Sequence, residues 1–520
     1  MTTRASASGG LLFFACAFLL VACIALGGGT RQALPAEALL QLLALPFLLL
    51  GLFGRGAREF DTRAWLCSAW LTVVALVLLV QLVPLPSAVW TSLSGRQLLA
   101  DELQLAGVEL GWRPLSLDPQ ATLRAVLAML APAAVFLLAA KLNLRQRVLL
   151  LKLVLVLAIA SMALGFAQLA GGSESRLRWH EVTSATNAVG PFANRNHLAS
   201  LLAVCLPLSA AWLIAALRQR RQDLRAALTL AAGALLVLLI IGLAVTRSRS
   251  GVVLGAAAFF GVGIMVWLHR QRIEPGKTRP LQIRRWLLLA CLIGVVVSMQ
   301  YGLLDLWGRL RTDPLEDRRW QIAANTFEAI STFGVLGTGA GSFVAVYPSV
   351  EPEDERSEYF MNRAHNDWLE WALEGGLPLV VVILLGLVLI SRLALESVRS
   401  ESARAHWQSA AAIGLVLLGL HSALDYPLRT TALAAVASLL VACLLPGEDS
   451  DASLFRRHRK RRHHTHATSR ATTDRAAVDG VVATGVIDEG QVNPDGSPLS
   501  QLDENDPWYP SHLKRQPNSQ

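Results

Sequence analysis

The chain has 520 residues, of which 53% are hydrophobic and only 16% charged, with a formal net charge of +9. A soluble protein of this size would carry roughly a quarter of its residues as charges, so an aqueous globular domain is excluded. Apolar runs of about 17–23 residues recur from end to end, each long enough to cross a ~30 Å hydrocarbon core, and in lipid such runs must be helices because every backbone N–H and C=O needs an internal partner.

In chain order the expected spans are 11–28, 34–53, 65–84, 121–140, 148–170, 197–217, 226–245, 251–268, 286–303, 366–391, 409–424 and 430–446. The fold class is therefore all-α, a polytopic integral membrane protein of about twelve transmembrane helices. A large outward loop, 304–365, lies between the ninth and tenth. The first run is followed by further spans rather than a soluble domain, so it reads as a retained helix and not a cleaved signal. The tenth is interrupted at Gly375-Gly376-Leu377-Pro378, and the last is short. All six cysteines (Cys16, Cys23, Cys67, Cys205, Cys291, Cys443) fall inside apolar runs. They read as small buried hydrophobes, with neither a disulfide framework nor zinc spacing.

Orientation follows from lysine and arginine in the short loops. One alternating set holds Arg55, Arg58 and Arg63, then Lys141, Arg145 and Arg147, then "RQRRQDLR" at 218–225. It continues with "HRQRIEPGKTRPLQIRR" at 269–285, with Arg392, Arg399 and Arg404, and with the tail after 446. That face is cytoplasmic, and both termini lie on it. The tail 447–520 is polar and low in apolar content, so it should be disordered. Its "RRHRKRRHH" at 456–464 suits anionic inner-leaflet lipid. His463, His464 and His466 form a metal candidate there that competes with a simple solvated basic tail.

The opposite face carries the polar residues that the orientation rule does not explain. The connection 85–120, with "LGWRPLSLDPQATL", lies on that surface and shows no readable chemistry. "GPFANRNHLAS" at 190–200 places Arg195, Asn196 and His197 at the mouth of a span. "TRSRSG" puts Arg247 and Arg249 on a short turn. On one continuous helix they would diverge by about 200°, so they can aim at one ligand only if a helix ends there; Ser248, Ser250 and Gly251 fit such an end. "EDRRWQIAANTFEAISTFGVLGTGAGSF" at 316–343 brings Arg318 and Arg319 on an amphipathic surface helix, with Trp320, Ala324, Phe327 and Ile330 as its apolar stripe. Its glycine-rich end reads as a tight turn.

"NRAHNDWLEWALEGG" at 362–376 contains Arg363, His365, Asn366, Asp367 and Glu370. "HSALDYPLR" sets His421 and Asp425 four apart, which is one helix face. Guanidinium forks bind phosphate oxygens in pairs and stay charged at any relevant pH; the competing role is to snorkel to headgroups or to pair with acids of the 304–365 loop. His365 can take a proton near neutral pH, although Asn366 and Asp367 beside it are also good helix caps. "HNDWLE" lacks the two-histidine spacing of a metal site, so no metal and no cofactor is expected.

The order and common side of "RSRSG", "RRWQIAANTFEAISTFGVLGTGAGSF" and "AHNDWLEWALEGGLP" resemble the O-antigen ligase and O-antigen polymerase superfamily of bacterial envelope enzymes. "GPFANRNHLA" and "HSALDYPLR" are also similar to segments of it, and the resemblance covers roughly 190–430. It implies a transmembrane glycosyltransferase domain over 1–446, inverting and metal-independent, at the periplasmic face of the inner membrane. Such an enzyme moves a glycan from an undecaprenyl-pyrophosphate carrier to an acceptor hydroxyl, on the lipid A core in a ligase or on another lipid-linked repeat in a polymerase. No nucleic-acid partner is implied.

In that frame the catalytic residue is His365. The pyrophosphate-binding set is Arg249 with its near-duplicate Arg247, Arg319 with Arg318, and Arg195. Asn366, Asp367, Glu370, His421 and Asp425 could orient the site, with Asp367 or Glu370 set against His365. The alternative is a transporter or flippase of lipid-linked saccharides, which would need charges near the bilayer midplane and usually paired repeats; the mid-span positions here are almost free of charge. The sequence leaves open ligase against polymerase, a protein acceptor, the sugar, and which arginine of each doublet acts.

Overall fold

The computed structural model describes residues 2–30, 35–56, 58–180, 183–273, 314–356, 361–400, 402 and 404–446. The expected span 286–303, most of the basic loop 269–285, the start of the 304–365 loop and the tail 447–520 lie outside the described residues.

The described chain is helical: α1 (Thr2–Leu26), α2 (Pro35–Phe53), α3 (Thr62–Val80), α4 (Ser87–Thr91), α5 (Gln97–Leu105), α6 (Pro119–Ala128), α7 (Leu130–Ala140), α8 (Leu144–Ala170), α9 (Arg195–Leu217), α10 (Gln222–Val245), α11 (Arg249–Ile273), α12 (Pro314–Phe333), α13 (Phe343–Val346), α14 (Asp367–Arg399), α15 (Ala405–His421) and α16 (Thr431–Leu444). Two-residue strands β1 (Pro84–Leu85) and β2 (Arg113–Pro114) pair antiparallel in the 85–120 connection. Among the described residues nine segments are long and apolar enough to cross a membrane, counting α6 and α7 as one. The shorter α15 and α16 coincide with two further expected spans. Phe14, Phe18, Leu42, Leu49, Leu76, Leu384 and Leu385 stay exposed on the outside of the bundle, a surface that only lipid would cover without penalty.

At the centre stands α9, almost wholly enclosed, with α8, α10, α11 and α15 packed around it. The two ends of the bundle differ in how they close the helices. At one end Arg147 is fully buried and donates to Ala139 O, Ala140 O, Ala442 O and Leu445 O at 2.9–3.0 Å. Lys141 Nζ donates to Leu52 O and Gly54 O at 2.9 and 2.7 Å. Cations here satisfy the orphan carbonyls at the C-termini of α2, α7 and α16, so three of the basic loops expected on one face do meet at one end. At the other end Gly27 O accepts from Ala432 N, and Gly28 O from Ala193 N, both at 3.0 Å. The starts of α9 and α16 gather there.

The helix α14 breaks where the sequence suggested. Gly376 sits at φ +57, and Pro378 cannot supply an N–H to the ladder. The glycine-rich turn after α12 repairs the gap: Thr338 N and Gly339 N donate to the freed carbonyls of Leu373 and Glu374 at 3.0 and 2.9 Å, and Leu377 N donates back to Val335 O at 2.8 Å. So "GTGAGSF" is a tight turn, as its composition indicated, and its job is to close a broken helix. Of the stripe expected on α12, Trp320, Ala324 and Phe327 are exposed and Ile330 is partly buried against the cluster of Ile322, Ala329, Phe343 and Tyr347. Ile322, Asn325, Thr326 and Ala329 are buried, while Trp320 and Phe327 face outward. The Ile322 face packs with Phe343, Tyr347, Ala364 and Leu373, which leaves the larger apolar side chains of α12 facing outward, as on a helix lying at a membrane surface.

Candidate active site

The site is assembled from helix ends. At the start of α9, Asn194 is the cap and accepts from Asn196 N at 2.9 Å. Asn196 is buried; its Nδ2 donates to Asp425 Oδ2 at 2.6 Å and its Oδ1 accepts from Ser248 Oγ at 2.7 Å. Ser248 also accepts from Gly251 N at 3.0 Å. The chain between α10 and α11 does break: Arg247 adopts φ +51 and α11 begins at Arg249. Arg247 is exposed, whereas Arg249 and Arg195 are half-buried beside the serine and asparagine set.

The loop 361–366 approaches the same point from α14. Asn366 caps that helix, accepting from Trp368 N and Leu369 N at 3.0 and 3.2 Å, so its side chain is committed to the fold. His365 adopts φ +51, a backbone that a histidine keeps only when its surroundings fix it. Its Nδ1 lies 3.3 Å from Asp425 Oδ1. Tyr426 packs edge-on against both His365 and His197, with ring centroids 5.2 and 5.1 Å apart.

Asp425 is fully buried. Burial pushes its carboxyl up, but the hydrogen bond and charge of His365, together with Arg319 and His197, outweigh that and hold it well below the usual carboxylate range. An ionised carboxylate only accepts, so the proton of the bond sits on His365 Nδ1. Whenever the ring is neutral, the tautomer that this bond selects leaves Nε2 as the atom that can accept a proton. Burial and the charge of Asp425 together push the Tyr426 phenol up, so that it stays protonated.

The arginine doublet of α12 divides between two partners. Arg319 Nη1 donates to Leu424 O at 3.2 Å, and Nη2 stands 4.0 Å from Asp425 Oδ2. Arg318 faces the other way, 3.5 Å from Glu351, a pairing with an acid of its own loop.

Asp367 and Glu370 are not set against the imidazole. Asp367 accepts from Ser422 Oγ at 2.8 Å and lies 3.5 Å from Arg429 Nε. Glu370 accepts from Arg363 Nη1 and from Ala364 N, both at 2.9 Å. Together with Glu374 these acids present one face of α14 to Arg429, which is 2.8 Å from Glu374 and 3.4 Å from Glu370. Burial pulls the Arg429 guanidinium down, but the carboxylates Glu374, Glu370 and Asp367 outweigh it and the net direction is up. His421 ends α15, and its Nδ1 is hydrogen-bonded to Ser200 Oγ. Asp425 lies beyond that helix end, so the two side chains meet different partners instead of each other.

Sequence reasoning passed over Glu374, Arg429 and Tyr426, and it placed Asn196 and Ser248 at helix ends without a partner. The acids at 367, 370 and 374 share a helix face by spacing alone, a signal that calls for a buried cation.

Beside this polar end, an apolar cavity of about 850 Å³ runs between α3, α7, α14 and α16. Val74, Phe136, Trp371, Ile383 and Val441 line it, and Arg124 and Arg363 stand where it meets the polar end. Among the described residues no group of three or more His, Cys, Asp or Glu side chains is arranged to hold a metal ion.

Residues 234–384 match the family model described as O-antigen ligase, so this stretch of the chain is similar to that family. The match contains Arg247, Arg249, Arg318, Arg319 and His365 and stops short of Asp425 and Arg429. No curated protein matches the chain.

Proposed function

We propose that this multi-pass bacterial membrane protein, whose residues 234–384 are similar to the O-antigen ligase family, moves a glycan from an undecaprenyl-pyrophosphate carrier to a sugar hydroxyl at the periplasmic face of the inner membrane. The observation that carries this reading is the His365–Asp425 pair with Arg319 beside it, joined through Asn196 and Ser248 to the start of the helix that begins at Arg249.

The chemistry follows from the residues. The acceptor hydroxyl loses its proton to His365 Nε2 as its oxygen attacks the anomeric carbon. Asp425 holds the ring in the required tautomer and offsets the imidazolium charge. The glycosidic C–O bond breaks, and its electron pair leaves with the lipid pyrophosphate. Guanidinium groups of Arg249 and Arg319, with Arg195 and Arg247 near the same end, offset that growing charge, each such positioned donor being worth about 3 kcal/mol of barrier. Attack opposite the leaving group inverts the anomeric configuration. The apolar cavity beneath the polar end suits a lipid chain, so the carrier's headgroup can meet the arginines while its tail stays in hydrocarbon.

The test is a reconstituted transfer assay with a lipid-linked oligosaccharide. His365→Ala should fold, bind donor and transfer nothing, and EDTA should leave the wild-type rate unchanged. Undiminished transfer by His365→Ala rules out its role as base.

A further inference from the structure

Resting on the reading above, we propose that Glu370, gripped by Arg429, is a positioning residue that fixes the backbone on which His365 is mounted. Asp425 holds the ring of His365, but nothing in that bond explains why the main chain at 365 keeps a left-handed conformation. Glu370 supplies the missing restraint. Its Oε2 accepts from the backbone N–H of Ala364, and its Oε1 from the side chain of Arg363, both at 2.9 Å. These are the two residues just before His365. Just after it, Asn366 is locked as the helix cap. The left-handed residue is thus pinned on both flanks.

The grip on Glu370 comes from the same segment that supplies Asp425. Residues 422–430 are stitched to the first turns of α14 by Asp367 N to Ser422 O at 2.8 Å and by Ser422 Oγ to Asp367 Oδ2 at 2.8 Å. Arg429 then reaches Glu370 at 3.4 Å and Glu374 at 2.8 Å. One short connection between α15 and α16 therefore controls His365 twice, at its ring through Asp425 and at its main chain through Arg429 and Glu370. Glu370 is completely buried, and all its acceptor positions near the loop are used. Glutamine has the same shape but only one acceptor oxygen. In either flip its NH₂ would face a donor, either the Ala364 N–H or the Arg363 guanidinium.

Glu374 supplies the comparison. It sits on the same face, is as deeply buried and pairs with the same arginine, yet its backbone partners are Phe343 N at 3.3 Å and Gly341, not the loop before His365. We compare Glu370→Gln and Glu374→Gln by hydrogen exchange over residues 361–366 and by transfer kinetics. Both should lower the melting temperature. Only Glu370→Gln should speed exchange at Ala364 and His365, by tenfold or more, and cut kcat by tenfold or more at unchanged KM for the lipid-linked donor. Unchanged exchange in Glu370→Gln, or equal kcat losses in the two variants, overturns the positioning role. Accelerated exchange with full transfer would instead remove His365 from the reaction and leave the backbone clamp standing.

Discussion

His365 and Asp425, 60 residues apart in the chain, meet at 3.3 Å with a fully buried carboxylate facing a part-exposed imidazole. The carboxylate also receives Asn196 at 2.6 Å, so it cannot turn away from the ring without leaving a buried amide unpaired. Asp425→Asn should therefore keep the fold and lose about 10²-fold or more in kcat, because an amide facing Nδ1 no longer enforces the tautomer with Nε2 free. Steady-state transfer rates against donor concentration check this; a loss confined to KM would place Asp425 in substrate binding instead.

The same carboxylate makes stability depend on pH. A carboxyl held below its unfolded value, about 3.9, adds stability above that value and loses it as pH falls through the folded value. Burial opposes the shift, but His365, Arg319 and His197 outweigh it. The wild-type melting temperature in detergent should thus fall steeply below about pH 4. Asp425→Asn should start lower at neutral pH and show a shallower acid limb, and parallel limbs would count against an ionised Asp425.

How far the sequence carried the description varies with the kind of feature. Span positions were legible because a 20-residue apolar run has few alternatives in lipid, and eleven of the twelve expected spans coincide with described helices. The break at Gly376 was legible because Gly-Gly-Leu-Pro has few helical solutions. The partner of His365 was less so. Asp367 and Glu370 are near it in sequence, but helix geometry turns them onto the Arg429 face, and Asp425 arrives from another helix pair. Arg429 was invisible for the same reason: its three carboxylates precede it by more than fifty residues, and no local pattern links them.

The arginine doublet of α12 should separate in kinetics as it does in space. Arg319 reaches the Asp425 segment, while Arg318 faces Glu351. Arg319→Lys should cost tenfold or more in kcat/KM, since a point charge cannot replace the planar fork. Arg318→Lys should stay within about twofold, because its contact is with Glu351 of its own loop and a lysine keeps the charge of that pair. Matching losses would mean that α12 as a whole, and not one guanidinium, serves the site.

Gly376 should tolerate no side chain. Its left-handed backbone alone costs an alanine about 1–3 kcal/mol, and a Cβ there would collide with the carbonyl oxygen of Val335 in the turn that closes the broken helix. Gly376→Ala should lower the melting temperature by several degrees and loosen the 335–340 turn in hydrogen exchange. Gly233→Ala is the matched control, because a Cβ at Gly233 meets nothing within 4 Å; that variant should be neutral or slightly stabilising. Equal melting temperatures for the two variants would mean that the turn yields to a side chain at 376 without cost.

The last prediction concerns sidedness, on which the whole site depends. Helix α10 runs for 24 residues from Gln222 to Val245, about 36 Å at 1.5 Å per residue. The exposed Arg220 before it and the exposed Arg247 after it therefore lie at opposite membrane faces. Gln321, exposed on α12 two residues beyond Arg319, belongs with Arg247, because Arg319 contacts Asp425 and Asp425 is joined through Asn196 to Ser248. Arg247→Cys and Gln321→Cys should react with a membrane-impermeant maleimide from outside the inner membrane, and Arg220→Cys only after permeabilisation. The five described native cysteines are buried and should contribute little background. Labelling of positions 247 and 321 from opposite sides would separate Arg247 and Arg249 from Arg319 and the His365–Asp425 pair, and no single transfer site could then be built from them.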